Sequence, residues 1–337
     1  MIASAELKNF GPISELKVDA FSNINLLIGP NRSGKTFLLK SLYAVQRTVE
    51  LTGRGKNNLS ASEMLARKLR WLFEVERLGV LVRKPVHGPL SFAMADKGGG
   101  KFSFSFGADT VTKINNVVDS CPARSSNSVF IPAKEVLSLL DVIKFNREQR
   151  MEFGFDDTYY DLAAALTPPI KGKLAQGFAR ARESLGNVLG GRIRFNKDKK
   201  LWEYEQGKMV FDISVTSEGT KKLAIFDTLI GNHYLSRESL VFIDEPEAGL
   251  HPRLLIGLLD IVAALAEAGV QFFIASHSYF VIKKLYLLAH QKRMSVPVVS
   301  FDCGNDGMAS IFDLREGMPE NPIIDESIRL YEEEIGL

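Results

Sequence analysis

The octapeptide Gly29-Pro30-Asn31-Arg32-Ser33-Gly34-Lys35-Thr36 constrains this chain more than any other feature. It meets the phosphate-loop pattern G-x-x-x-x-G-K-[ST] at every fixed position. Glycines let a backbone wrap closely around an anion, with the N–H groups turned inward. Lys35 would bring positive charge to the β- and γ-phosphates of a nucleotide, and the Thr36 hydroxyl can ligate Mg²⁺. The flanking residues agree. Ile24 to Ile28 read as a short buried strand, and Thr36 to Val49 carry apolar residues at helical spacing. A strand that feeds a loop into a helix N-terminus is an arrangement that holds phosphate. A chance match arises about once per hundred chains of this length, and the strand–loop–helix context makes it rarer still.

Three further constellations lie towards the C-terminus. Leu240-Val241-Phe242-Ile243-Asp244-Glu245 is an apolar run that ends in two carboxylates. It reads as a buried parallel strand with acids at its C-terminal tip, the edge of an open α/β sheet where ligands bind. Asp244 would hold Mg²⁺ through water, and Glu245 would orient or deprotonate an attacking water; acids that merely begin a turn are the plainer alternative. Gln271 to Ser278 is a second apolar strand, ending in Ser276-His277-Ser278. His277 is placed to touch a γ-phosphate or the attacking water, against the plainer role of a capping histidine. Val215-Thr216-Ser217-Glu218-Gly219-Thr220-Lys221-Lys222 opens a helix, where Ser217 and Gly219 suit both a helix cap and an anion site.

Composition narrows the remaining choices. The net charge of the 337 residues is +2, so no global basic field points to nucleic acid, and only a local patch could do so. Arg67-Lys68-Arg70 and Lys197-Lys199-Lys200 are the local candidates, and a solvated helix face and a hairpin explain them more simply. Two cysteines, Cys121 and Cys303, suggest neither a disulfide framework nor a zinc site, and the expected setting is the reducing cytoplasm. The N-terminus carries no export signal. Leu254 to Ala275, the most apolar long stretch, contains Asp260 and Glu267 and reads as a buried helix followed by a buried strand, not as a membrane span. Asp302 and Asp306 read as a β-turn between two strands better than as metal ligands.

Together these motifs resemble the ATP-binding-cassette (ABC) ATPases, in particular the soluble SMC-like branch and the ATPase domains of the OLD (overcoming lysogenization defect) family. Asp244-Glu245-Pro246-Glu247-Ala248-Gly249-Leu250-His251-Pro252 is similar to the OLD-type Walker B and D-loop, with His251 where transport cassettes commonly carry Asp. Ser217-Glu218-Gly219 resembles the degenerate signature motif of the soluble families, and Ser276-His277-Ser278 their switch histidine. Val129 to Lys134 is similar to a segment that often precedes the helical part. Gln149 is a weak candidate for the glutamine loop.

The resemblance implies an α/β fold: an ABC-type P-loop NTPase with a mixed sheet flanked by helices, an N-terminal antiparallel β subdomain and an inserted mostly helical region. One ABC/SMC-like ATPase domain would span 1–337, with a nucleotide-binding core of 1–52 and 205–337 and an inserted region of 53–204. The resemblance also implies ATP and Mg²⁺ as cofactors, and a homodimer closed around two ATP molecules. In that dimer Lys35, Thr36, Asp244, Glu245 and His277 act from one subunit, and Ser217 and Gly219 from the other. About sixty residues follow His277, fewer than a TOPRIM nuclease needs. The expected role is therefore a switch for a separate effector, such as a nuclease, in prokaryotic anti-phage defence. A DNA-clamping repair or chromosome-maintenance ATPase and a non-hydrolysing ATP-gated scaffold stand as alternatives.

Overall fold

A computed structural model of the chain describes residues 1–337 apart from 55–57, 170–171, 197–198, 200, 302–308 and 337. Asp302, Cys303 and Asp306, with Lys197 and Lys200, lie outside the described residues. The chain begins with β1 (Ile2–Phe10), β2 (Ile13–Val18) and β3 (Ile24–Ile28), followed by α1 (Lys35–Gly53) and α2 (Ala61–Leu72). Next come β4 (Leu90–Asp96), β5 (Lys101–Phe106), β6 (Asn116–Asp119) and β7 (Ser128–Ile131). A helical stretch holds α3 (Leu140–Phe145), α4 (Asp157–Leu166) and α5 (Gln176–Leu189), and β8 (Arg192–Asn196), β9 (Leu201–Gln206) and β10 (Met209–Asp212) form a small sheet. The last part alternates: α6 (Glu218–Gly231), β11 (Leu240–Asp244), α7 (Pro252–Glu267), β12 (Gln271–Ser276), α8 (Tyr279–Lys292), β13 (Pro297–Phe301), β14 (Ala309–Asp313) and α9 (Pro322–Ile335).

The central sheet has the order β14-β13-β3-β12-β11-β7, and all its pairings are parallel except β13 with β14. Its inner strands are apolar on both faces, as parallel strands covered on both sides must be. On one face Leu26, Val129, Val241, Ile243, Phe272 and Ile274 pack in a core with α4 to α8. On the other, Leu27, Phe130, Phe242, Phe273 and Val299 pack with α1 and the antiparallel sheet β2-β1-β4-β5-β6. Helix α1 is thus buried between two sheets, and this explains why Leu38, Leu39, Leu42 and Tyr43 are all fully buried.

The division into a core and an insertion at 53–204 does not follow these sheets. Strands β4, β5 and β6 complete the N-terminal antiparallel sheet, and β7 forms an edge of the central sheet, yet all four lie within 53–204. The physical reason lies in β4 and β5, where Leu90, Phe92, Met94, Phe102, Phe104 and Phe106 alternate on one apolar face buried in the same core as α1. The residues of that range outside both main sheets are chiefly α2 to α5 and part of the β8–β10 sheet. A second correction concerns Lys68. It is no solvated residue: it is buried and donates to Asp157 and Asp161 at 2.8 Å.

Three phenylalanines stack across neighbouring strands on the α1 face. Phe130 and Phe242 lie 6.3 Å apart at 7°, and Phe242 and Phe273 lie 5.1 Å apart at 11°. Tyr43 of α1 meets Phe130 and Phe242 edge-on at 5.6 and 5.5 Å. This cluster seats the helix that carries Lys35 on the strand that carries Asp244. Phe242→Ala should lower the unfolding free energy by about 3–5 kcal/mol, read from denaturant titration; a loss below about 1 kcal/mol would show that the stack does not anchor α1.

Candidate functional site

The site is built at the level tips of three strands. In the parallel register Ile28 pairs with Ser276, and Ala275 pairs with Asp244. Residues that follow β3, β12 and β11 therefore emerge side by side, and these are the residues singled out from the sequence.

After β3 the chain turns through three positive-φ residues, Gly29 at 141°, Arg32 at 65° and Gly34 at 114°. A Cβ on Gly29 would lie 2.6 Å from the Phe301 carbonyl oxygen, and one on Gly34 would lie 2.9 Å from Cγ1 of Ile13. Both positions exclude side chains by conformation and by space. Gly34 is the N-cap of α1 without a side-chain cap, so the first-turn N–H groups have no side-chain acceptor there. The Ser33 hydroxyl is buried with no hydrogen-bond partner among the described residues. Lys35 folds back and donates to the carbonyls of Gly29 and Pro30 at 2.8 and 2.7 Å. Pro30, Asn31 and Arg32 form the outer rim of the loop, the last two exposed.

The Thr36 hydroxyl donates to Asp244 Oδ2 at 2.9 Å, so the two proposed metal-ligating residues meet. Glu245 follows with φ of 49°, a left-handed backbone that its N–H bond to the Ala275 carbonyl helps to hold. His277 Nδ1 stands 3.4 Å from Glu245 Oε1 and 3.6 Å from Glu247 Oε1. The His277 and Glu245 side chains are 47% and 35% exposed, so this pair faces outward and is not an internal structural ion pair.

Ser217 and Gly219 make different contacts. Ser217 caps α6, its hydroxyl accepting from the Thr220 N–H at 3.1 Å. A Cβ on Gly219 would lie 3.1 Å from the Gly249 carbonyl oxygen and 3.2 Å from a Leu250 methyl. Within one chain Gly219 packs on the Gly249–Leu250 turn, while Ser217 caps its own helix. His251 likewise caps α7, accepting from the Arg253 N–H at 3.2 Å. Gln149 sits exposed in a single π-helical turn, Asn146–Arg150.

Two residues of the site had no role in the sequence reading. Glu247 accepts from the Ser276 hydroxyl at 2.8 Å and from the His277 N–H at 3.0 Å, and so orients the histidine. Lys222 reaches the carbonyls of Glu245, Ala248 and Ala133 from helix α6. Burial lowers its pKa to about 8, against the pull of Glu247, Glu245 and Asp244. The signal for Glu247 was its place in the D-E-P-E run. For Lys222 there was only a basic pair in a helix, which reads equally as surface.

A family described as "AAA domain, putative AbiEii toxin, Type IV TA system" matches residues 99–283. The chain belongs to this family. The match spans Ser217, Asp244, Glu245 and His277, with the phosphate loop upstream of it. Over 47 residues the chain is 45% identical to the DNA replication and repair protein RecF of Lactobacillus gasseri, a stretch that is 14% of this chain and 13% of that protein. Two solved structures share the fold of this AAA-domain chain. One is an SMC head bound to the C-terminal winged-helix domain of ScpA, with TM-score 0.54 and 16% identity over 93% of this chain and 97% of that one. The other is an SMC head with an extended coiled coil bound to the C-terminal domain of ScpA derived from Pyrococcus furiosus. Its TM-score is 0.50 and its identity 14%, over 98% of both chains. The fold is therefore that of an SMC head, an ABC-type P-loop architecture with an antiparallel N-terminal sheet. No described helix is long and apolar enough to cross a membrane.

Asp244 carries a testable electrostatic cost. Burial raises its carboxyl from 3.8 to about 6, with the Thr36 hydrogen bond acting against it and Glu245 adding to it. Between those values the folded chain keeps a proton that the unfolded chain has released, so stability falls as pH rises through that window. The gap is worth up to roughly 3 kcal/mol. Without nucleotide or metal, Asp244→Asn should be the more stable protein by that order near neutral pH, the difference closing below about pH 4. Urea unfolding at both pH values measures it, and equal stability at neutral pH would contradict the burial cost.

Proposed function

We propose that this chain is an ATP-hydrolysing switch that works as a pair of identical subunits. The observation that carries the reading is the meeting, at three adjacent strand tips beside the loop that holds Lys35, of Thr36 with Asp244 and of Glu245 with His277. The residues fit a magnesium nucleotide. The loop excludes side chains at Gly29 and Gly34 and leaves the Ser33 hydroxyl without a partner, as a phosphate cradle would. Thr36 and Asp244 offer hard oxygen ligands that suit Mg²⁺, which when bound would neutralise phosphate charge. Lys35 would turn from the Gly29 and Pro30 carbonyls to the phosphates. Glu245 would accept a proton from water, and His277, held by Glu247, would orient that water or the γ-phosphate.

Ser217 is exposed at the start of α6, with Gly219 buried just behind it, and the N–H groups and hydroxyl of that helix start suit an anion supplied by another chain. This supports a head-to-tail, two-fold pair in which each subunit closes over the other's ATP. ATP would hold the pair closed and hydrolysis would release it, a population shift driven by γ-phosphate contacts. We place this switch upstream of a separate effector, such as a nuclease, in prokaryotic defence. The family description, with its toxin–antitoxin setting, and the OLD-like D-E-P-E form support that placing. Metal-dependent DNA cleavage by the purified chain alone would overturn it.

The test of shared sites is complementation. Lys35→Ala and Ser217→Arg should each abolish turnover. An equal mixture should regain about a quarter of parental activity, because half of the dimers then hold one intact site of two. No recovery would refute completion in trans. Glu245→Gln should lower turnover by about a hundredfold or more and prolong the ATP-bound dimer in light scattering. Unchanged turnover in that variant would favour the non-hydrolysing scaffold.

The match to RecF favours a second reading, direct action on DNA. ATP-dependent binding that weakens steeply with salt would support it. Its best cationic cluster is depleted, since Lys68 is committed to Asp157 and Asp161.

A further inference from the structure

The turn that presents Glu245 needs an external hold. Glu245 has φ of 49° without being glycine, a conformation that costs about 1–3 kcal/mol and persists only where its surroundings enforce it. Its carbonyl oxygen accepts from the Ala248 N–H at 3.0 Å and from Lys222 Nζ at 2.8 Å. The same ammonium donates to the Ala248 carbonyl at 3.2 Å and to the Ala133 carbonyl at 3.3 Å, just beyond β7. All its donors are thus directed at backbone, and the residue is 2% exposed. Among the described residues no carboxylate pairs with it at hydrogen-bond distance. A buried cation placed against three carbonyls is a costly device for stability alone, since an apolar side chain would fill the space more cheaply.

Lys222 also lies on the helix that Ser217 opens. Ser217 is the N-cap of α6, and Lys222 follows five positions on, a rise of roughly 7.5 Å along the helix. One rigid helix therefore carries both the group proposed to meet the partner's ATP and the ammonium that grips the chain's own Glu245 turn. Gly219 packs tightly just beyond that turn, where a Cβ would lie 3.1 Å from the Gly249 carbonyl oxygen.

We propose that Lys222 is a positioning residue: it locks the 245–248 turn to α6, so that contact at Ser217 is passed to the Glu245 carboxylate of the same chain. The proposal rests on the hydrolytic reading above for its effect on turnover, and on the geometry alone for its effect on the turn. Lys222→Met keeps the stem and removes the donors. It should lower kcat by about ten- to a hundredfold while leaving the affinity for a non-hydrolysable ATP analogue within about threefold. Amide hydrogen exchange in 245–250 of the nucleotide-free protein should rise by about tenfold or more. Lys222→Arg, which keeps the charge but cannot meet the three carbonyls in the same way, should recover part of kcat. If Lys222→Met fails to fold, the arginine variant decides through the same two readouts. Unchanged exchange in 245–250, or affinity lost in proportion to kcat, would overturn the proposal. An inactive parent would sink the hydrolytic reading instead, and the exchange measurement would still decide the role of Lys222.

Discussion

Asp244 stands opposite Ala275, and Ser276 opposite Ile28, because β11, β12 and β3 pair in parallel without a slip. Everything at the site depends on that register. A shift of one residue in β11 would exchange its faces, burying Val241 and Ile243 where Phe242 now packs and pulling Asp244 away from Thr36. The register is protected because each strand has a different neighbour on each face. Phe242 and Phe273 stack on the α1 side, while Ile243 and Ile274 join the core beneath α6 and α7. The placement of two carboxylates and a histidine within reach of one loop thus follows from apolar packing several residues away.

The acids themselves oppose this packing. Asp244 is driven towards its neutral form by burial, and Glu245 adopts a left-handed backbone. Such local costs are common where a chain is shaped for a ligand and not for its own stability. The stabilising groups are nearby. Thr36 bonds Asp244, Glu247 fastens His277, and Lys222 fastens the turn between them.

The strands, the phosphate loop and the two acidic and histidine tips were legible in the sequence, because each is a local signal. Ile24 to Ile28 and Leu240 to Ile243 are unbroken apolar runs, and the loop has fixed spacing. What was not legible depends on partners distant in sequence. Nothing in 90–106 says that its alternating face covers the far side of α1, or that Val129 to Ile131 closes an edge beside β11. The same holds for Lys68 and Lys222. Both look like surface lysines in amphipathic helices, and both are buried on acceptors from elements 89 and 23 residues away.

Charge also joins the phosphate-loop helix to the helical region. Lys40 pairs with Asp156 at 2.7 Å, the N-cap residue of α4, and Tyr43 donates to Asp161 at 2.8 Å. Asp161 is further held by Lys68, and Asp157 by Lys68 and Arg147. Burial alone would raise the Asp161 carboxyl, but Lys68 and Arg47 outweigh it and hold it below the ordinary range. Breaking one such pair would leave a buried charge uncompensated, at about 3–5 kcal/mol. An apolar contact can slide by a fraction of an ångström at little cost, whereas this junction cannot. A displacement of α1 that left α4 in place would have to break the Lys40–Asp156 and Tyr43–Asp161 contacts, and Arg147 ties the π-helical turn to the same helix through Asp157.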